Sequence, residues 1–426
     1  MYLGLDFGTS GCRAIVINAN KEQLAATSQP LPAATQQQNR IQQQASDWID
    51  GLHALFQQLA DQIDLTRIQR IAVDGTSGSV LLVSPLGTVL TPALMYNDSS
   101  STNQLPCIKQ LCPDKQHITM SASSSLAKAL QLAQTLAAGT RFLVLNQADY
   151  LSNYLSGRWG FSDYHNMLKM GYDVEQLHWP EWITQLLGKA TLPQVLEPGK
   201  VISHVDTGLA GQLGLDPSVQ ICSATTDANA AFLATESTQT GDAVTSLGST
   251  LVVKVLANYP IQDLDSGVYS HKLGDYWLCG GASNAGGSVL KKYFSDSDLQ
   301  ALSAQIDLNQ SSGLDYYPLP RPGERFPIMD PAMQPRLTPR PESDVQFLQG
   351  MLEGLSRIEK AGYQRLQALG APPLKRVQSL GGGAANHEWQ AMRQQMLNIP
   401  VTQAQHPQAA YGSALLALQG LRPFIR

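Results

Sequence analysis

Three short stretches of this chain combine residue types that can hold a phosphate: Asp6-Phe7-Gly8-Thr9-Ser10-Gly11, Leu247-Gly248-Ser249-Thr250 and Leu380-Gly381-Gly382-Gly383-Ala384-Ala385-Asn386. Asp and Gly are depleted in strands, yet the first stretch interrupts an apolar run that resumes at once as Ala14-Ile15-Val16-Ile17. Turns of this composition point several backbone N–H groups into one concavity, and glycine lets the backbone approach a bound oxygen closely. The plain alternative is that the first two are hairpin tips, where Gly, Ser, Thr and Asp serve turn geometry alone. The third stretch precedes a helical run from His387 to Leu397, where glycines would admit a flat or bulky ligand and Asn386 can cap the helix or face that ligand.

The elements that must position these turns are legible as alternating strand-like and helical runs. Ile71-Ala72-Val73 leads into Asp74-Gly75-Thr76-Ser77-Gly78, and Val80 to Val83 reads as the return strand of a hairpin, with a turn at Pro85-Leu86-Gly87. Trp48 to Ile63 carries Trp48, Ile49, Leu52, Leu55, Phe56 and Leu59 at the 3–4 spacing of an amphipathic helix, and Leu126 to Leu136 reads likewise. Asp242 to Val253 repeats the grammar of the N-terminus: strand, hydroxyl-rich turn, strand. The expected fold class is α/β, with two related lobes that each offer one such turn.

Composition excludes several classes. A chain of 426 residues predicts two domains. Its net charge of −5 leaves no electrostatic footprint for nucleic acid or an anionic membrane. There is no run of 18 apolar residues and no basic segment before the first strand, so the expected location is the cytoplasm. The cysteines Cys12, Cys107, Cys112, Cys222 and Cys279 are odd in number and scattered, which predicts reduced thiols rather than a disulfide framework or a zinc site. Neither GxxxxGK[ST] nor GxGxxG occurs, which disfavours a P-loop and a dinucleotide-dependent oxidoreductase.

Taken in order, the motifs resemble those of the FGGY carbohydrate kinases, members of the actin-like, sugar kinase and Hsp70 ATPase superfamily. The resemblance is carried by Asp6-x-Gly8-Thr9-Ser10 with Arg13, by Leu247 to Thr250, and by Gly381-Gly382-Gly383. It extends through Asp149-Tyr150-Leu151, Ser162-Asp163-Tyr164-His165-Asn166, Ile221 to Ala231, Gly280 to Gly287 and the closing Tyr411 to Ala417. It implies two actin-like (ribonuclease H-like) domains, each with a mixed five-stranded sheet, and an ATP and sugar cleft between them. The implied boundaries are 1–234 with 408–426 returning to the first domain, and 235–407 for the second.

By the same resemblance Asp6 holds Mg²⁺ and assists catalysis, since that ion keeps most of its waters and needs one or two carboxylates besides phosphate. Gly8, Thr9, Ser10 and Arg13, with Gly248, Ser249, Thr250, Gly286, Gly287, Gly382, Gly383 and Asn386, bind ATP. Asp227, after an apolar strand and at the start of an alanine-rich helix, is implied as the base that takes the sugar hydroxyl's proton; a helix N-cap is its structural alternative. Ser77 and Asp98 would line the sugar end beside Asp6 and Asp227, although Ser100 stands where the family's aromatic-(Asn/Gln)-Asp-x-Arg segment has arginine. The implied activity is ATP-dependent phosphorylation of a small sugar, a ketopentose such as D-ribulose, by a monomer or homodimer. A noncatalytic actin-like nucleotide- and sugar-binding protein, or a kinase of glycerol or another polyol, would carry the same fold.

Overall fold

The computed structural model describes residues 1–37, 39–188 and 190–425. They divide into two units: Met1–Glu236 with Gln408–Ile425, and Ser237–Pro407.

In the first unit the opening turn joins β1 (Tyr2–Phe7) to β2 (Gly11–Ile17), and β2 pairs onward with β3 (Gln23–Pro30). On the other side β4 (Arg70–Gly75) lies parallel to β1, and β5 (Gln220–Cys222) parallel to β4. The spatial order is therefore β3-β2-β1-β4-β5. The second unit repeats it with β6 (Asp242–Leu247), β7 (Leu251–Ala257), β8 (Tyr276–Ser283), β9 (Arg376–Leu380) and β10 (Val401–Gln403), ordered β8-β7-β6-β9-β10. In both, the first three strands are antiparallel to one another and the last two parallel to the first.

Each expected five-stranded sheet is thus present but extended. Among the described residues the first counts seven strands, with Val201–His204 at its edge and Thr225–Thr226 beside β4; the second counts six, with Tyr269–Leu273 added. The hairpin expected between Ile71–Val73 and Val80–Val83 does not form. Val80–Val83 leaves β4 and joins a separate six-stranded sheet, antiparallel to Phe142–Asn146 and Ala93–Leu94. The turn at 85–87 does form: Ser84 N–H donates to Thr88 O and Gly87 N–H to Ser84 O.

The helices flank these sheets. Helix α1 (Ala45–Ala60) starts three residues before the apolar periodicity does, because Gln44 and Asp47 form a reciprocal capping box. It buries Trp48, Leu52, Leu55, Phe56 and Leu59 against the first core. Helix α2 (Ser125–Ala133) is capped by Ser124, whose side chain accepts from Ala127 N–H. Further helices that bear on the site are α3 (Asp227–Ala234), α4 (Asp296–Ser303), α5 (Asp344–Ala368), α6 (His387–Leu397) and α7 (Ala409–Gln419). Two glycines seat α7 in the first unit. A Cβ on Gly4 would lie 1.9 Å from Ala410 O, and one on Gly412 would lie 1.8 Å from Ala230 O. No larger residue fits between α7 and β1, or between α7 and α3. All five cysteines are free. Among the described residues, no helix is long and apolar enough to cross a membrane.

Candidate active site

Strand register builds the site in the first unit. Asp6 pairs with Arg13 across the β1–β2 hairpin, and Arg13 Nη1 donates to Asp6 Oδ2 at 3.1 Å. Asp6 is nearly buried whereas the Arg13 side chain is half exposed, so this pair is solvent-screened and contributes about 1 kcal/mol or less. Gly8 N–H donates to Gly11 O at 3.0 Å and closes the turn. The carbonyls of Thr9 and Ser10 accept from Gln43 Nε2 and Leu31 N–H, which leaves the turn's outer rim to its hydroxyls.

On the neighbouring strand Asp74 lies in register with Asp6, and Thr225 in register with Asp74. Asp74 has no exposed surface; its Oδ2 accepts from Ser413 Oγ at 2.6 Å, and its Oδ1 has no partner among the described residues. Burial, then the charge of Asp6, then that of Asp227 push its carboxyl well above the usual range, against the opposing Ser413 bond. Asp74 thus sits as a buried carboxyl, its proton held more tightly than usual, on the strand beside Asp6. Sequence reasoning did not place it in the site, because only the parallel β1–β4 pairing brings it there.

Asp227 follows Thr226 at the N-terminus of α3. Thr226 has extended φ/ψ and is the N-cap residue, so Asp227 is the first helical residue and the N-cap alternative for it does not hold. Its Oδ1 accepts from Ala228 N–H at 2.7 Å, and the helix dipole favours a carboxylate there. Ser77 is half-buried in the turn after β4. Asp98 is different: it has no exposed surface, Oδ2 accepts from Ile41 N–H at 2.7 Å, and Oδ1 accepts from Ser100 N–H and Oγ. Ser100 thus serves as a partner that holds the Asp98 carboxylate inside the loop, at the position where the resemblance expects arginine.

In the second unit a cavity of about 810 Å³ gathers Gly248, Ser249, Gly287, Gly382, Gly383 and Asn386. The turn after β6 is held from behind by 286–288: Gly287 N–H donates to Gly248 O and Ser288 N–H to Ser249 O. Gly286 must lack a side chain, since a Cβ there would be 2.6 Å from Ser249 O. Neither Gly286 nor Thr250 lines the cavity; both support its wall. Asn386 is the N-cap of α6, accepting from Trp389 N–H at 2.8 Å, and its Nδ2 donates to Ser303 Oγ at 2.8 Å. Its amide is a wall-builder rather than an open donor.

The other wall comes from residues that carried no motif: Lys291, and Asp296, Leu299, Gln300 and Ser303 of α4. Only the Ser295 and Asp298 capping box announces that helix in the sequence. Beneath the cavity an ion pair with almost no exposed surface fixes both turns. Arg393 donates through Nε and Nη2 to Glu359, each at 2.6 Å, and through Nη1 to Ser379 Oγ on β9 at 2.7 Å. Glu359 also accepts from Thr245 Oγ1 on β6. The strands that end in the Gly248 and Gly382 turns are thereby tied to one buried carboxylate.

Such a site in a repeated β8-β7-β6-β9-β10 frame is matched across nearly the whole chain. Residues 1–234 match the N-terminal domain, and residues 243–421 the C-terminal domain, of the FGGY family of carbohydrate kinases. The chain belongs to that family and is an ATP-dependent sugar phosphotransferase. It is 24% identical over 408 residues to a xylulose kinase of Escherichia coli (strain K12), covering 92% of this chain and 84% of the relative. Its fold is similar to a ligand-bound xylulose kinase from Lactobacillus acidophilus (TM-score 0.86, 18% identity, 99% of this chain and 89% of that one). It is also similar to Plasmodium falciparum glycerol kinase with ADP (TM-score 0.86, 14% identity, 100% and 90%).

Proposed function

We propose that this kinase transfers the γ-phosphoryl group of ATP to a hydroxyl of a ketopentose, with Mg²⁺ as cofactor. The observation that carries the reading is the carboxyl arrangement of the first unit: Asp6 beside the glycine turn, buried Asp74 in register with it, and Asp227 at the head of α3.

Asp227 accepts the proton of the attacking hydroxyl, whose oxygen bonds to the γ-phosphorus as the bond to the β–γ bridging oxygen breaks and ADP leaves. Gly8, Thr9 and Ser10 orient phosphoryl oxygens, and Arg13 offsets their charge. Ser77 donates to or accepts from the sugar. Adenosine occupies the glycine-lined cavity of the second unit, between the Gly382 turn and α4. The residues present fit a magnesium ion held mainly by water and phosphate. Among the described residues no cluster of three or more His, Cys, Asp or Glu is arranged for a metal, and Asp6, at the end of β1 beside the glycine turn, is the carboxylate we assign to the ion. When bound, the ion neutralises phosphate charge.

The relative named xylulose kinase supports D-xylulose as the first acceptor to assay, and D-ribulose belongs beside it as the other unbranched ketopentose of the D series. The test is an ADP-release assay over D-xylulose, D-ribulose, L-ribulose, glycerol, gluconate and small ketohexoses. A pentulose should show the highest kcat/KM. Activity confined to glycerol or gluconate would overturn the ketopentose assignment.

A further inference from the structure

The first unit contains a buried cation that the chemistry above does not use. Lys128, on α2, has no exposed surface. Its ammonium donates to three backbone carbonyls, Gly78 O at 2.8 Å, Met95 O at 2.6 Å and Tyr96 O at 3.2 Å. An ammonium has three N–H donors, so all of them are engaged. The carboxylate whose charge it feels is Asp98, and that side chain is already held by Ile41 and Ser100. A charge buried without a carboxylate partner is costly, and burial with the neighbouring Lys169 charge pushes this amine down to about 7, against the upward pull of Asp98. An apolar side chain of similar length would fill the same space without that penalty. What only an ammonium does here is gather three carbonyls from two separate segments.

Those segments are the turn 76–78, which carries Ser77, and the loop 95–98. Gly78 has a φ of +89°, a conformation in which a turn residue has few alternatives, and its carbonyl is the one that Lys128 grips. A second tie joins the same segments, since Tyr96 N–H donates to Ser79 Oγ at 3.0 Å. The turn's other anchor is Gln147, whose Oε1 accepts from Thr76 N–H and Oγ1.

We infer that Lys128 is a positioning residue of the acceptor-sugar site: its ammonium clamps the Ser77 turn to the 95–98 loop and so sets where Ser77 meets the sugar. This rests on the reading of Ser77 as a sugar contact given above. The clamp also accounts for Asp98, whose carboxylate holds the loop and whose charge faces the ammonium.

The test compares the parent with Lys128→Met, which keeps length without charge, and Lys128→Gln, which keeps two N–H donors and serves if the Met variant does not fold. With circular dichroism unchanged, the KM for the accepted sugar should rise by about ten-fold or more, as expected for losing a hydrogen bond from a charged group. The KM for ATP should stay within about two-fold of the parent, and amide hydrogen exchange should accelerate at 76–79 and 95–98 but not in the second unit. A folded variant whose sugar KM is unchanged, or whose sugar and ATP KM values rise together, would overturn the inference. A parent inactive on every acceptor would overturn the functional reading instead. The exchange experiment needs no substrate and still decides the clamp: unchanged exchange at both segments refutes it.

Discussion

Replacing Asp227 with Asn separates the proton-transfer role from the contact with Ala228. The amide is nearly isosteric, and its oxygen can still accept from Ala228 N–H, so the 2.7 Å contact survives. Loss of a charge at the first helical position removes about 0.3–1 kcal/mol of dipole interaction. The same loss removes one of the charges that push the Asp74 carboxyl up. The stability change should therefore stay within about 1 kcal/mol, a melting shift of roughly 2–4 °C for a unit of this size. Catalysis should respond on another scale. Removing a general base costs about 10²–10⁴-fold in rate, which at about 1.4 kcal/mol per factor of ten is about 3–5 kcal/mol of transition-state stabilisation. The assay is steady-state ADP release, varying ATP and sugar in turn, on protein matched by circular dichroism and melting temperature. The expected result is a kcat lowered at least about 100-fold with ATP KM near the parent's. A folded Asp227→Asn protein with kcat within a few-fold of the parent refutes the base assignment. Because Thr226 and not Asp227 is the cap, lost helix capping cannot explain a large fall.

Asp6→Asn should abolish most turnover without restoration by raised Mg²⁺, while the fold is kept because the Arg13 pair it loses is screened; full activity would remove Asp6 from the metal role. A side chain at Gly382 meets nothing within 4 Å, so Gly382→Val should fold and project into the cavity, raising the KM for ATP with little change in that for sugar. Gly383→Ala is the contrasting case: its Cβ would lie 2.6 Å from the Trp389 ring and 2.9 Å from Leu247 Cβ, so both stability and nucleotide affinity should fall, by about 1–3 kcal/mol in stability. Arg393→Met leaves Glu359 buried without its partner and should cost about 3–5 kcal/mol, visible as a lower denaturant midpoint. Lys128 supplies a pH signature. Its folded pKa is pushed down to about 7 from the ordinary lysine value of about 10.5, so between those values the unfolded chain binds the extra proton and the parent gains stability relative to Lys128→Met as pH rises. The difference should grow by up to about 1.4 kcal/mol per pH unit in that window and be flat below it; a difference independent of pH would show that the amine does not titrate there.

What the sequence determines by itself is local. Period-two apolar runs broken by Asp6 to Gly11 specify a hairpin, since side-chain alternation and turn chemistry act over a few residues. The helix from His387 to Leu397 has the expected bounds because Asn386 caps its start and Asn398, in the left-handed region, ends it. The glycines of the Gly248 and Gly382 turns announce a close backbone approach without saying to what. Tertiary structure decides whatever depends on strands and helices distant in the chain. Val80–Val83 could not be assigned to its sheet from sequence, because its partner Phe142–Asn146 lies about sixty residues on and nothing in a short apolar run names a partner. The same holds for Asp74, which joins the site only because β4 lies parallel to β1 in a register that sets it beside Asp6, and because α7 returns Ser413 across 339 positions to meet it. Helix α4 walls the cavity with Asp296, Leu299, Gln300 and Ser303, whose i, i+3, i+4, i+7 spacing puts them on one helix face without saying what that face covers. Lys128, one lysine in a helical run, becomes a clamp only once two loops converge on it. Residue type and spacing limit what a segment can form; which carboxyl is pushed above its usual range, and which lysine loses its water, depends on burial, which is a property of the packed chain.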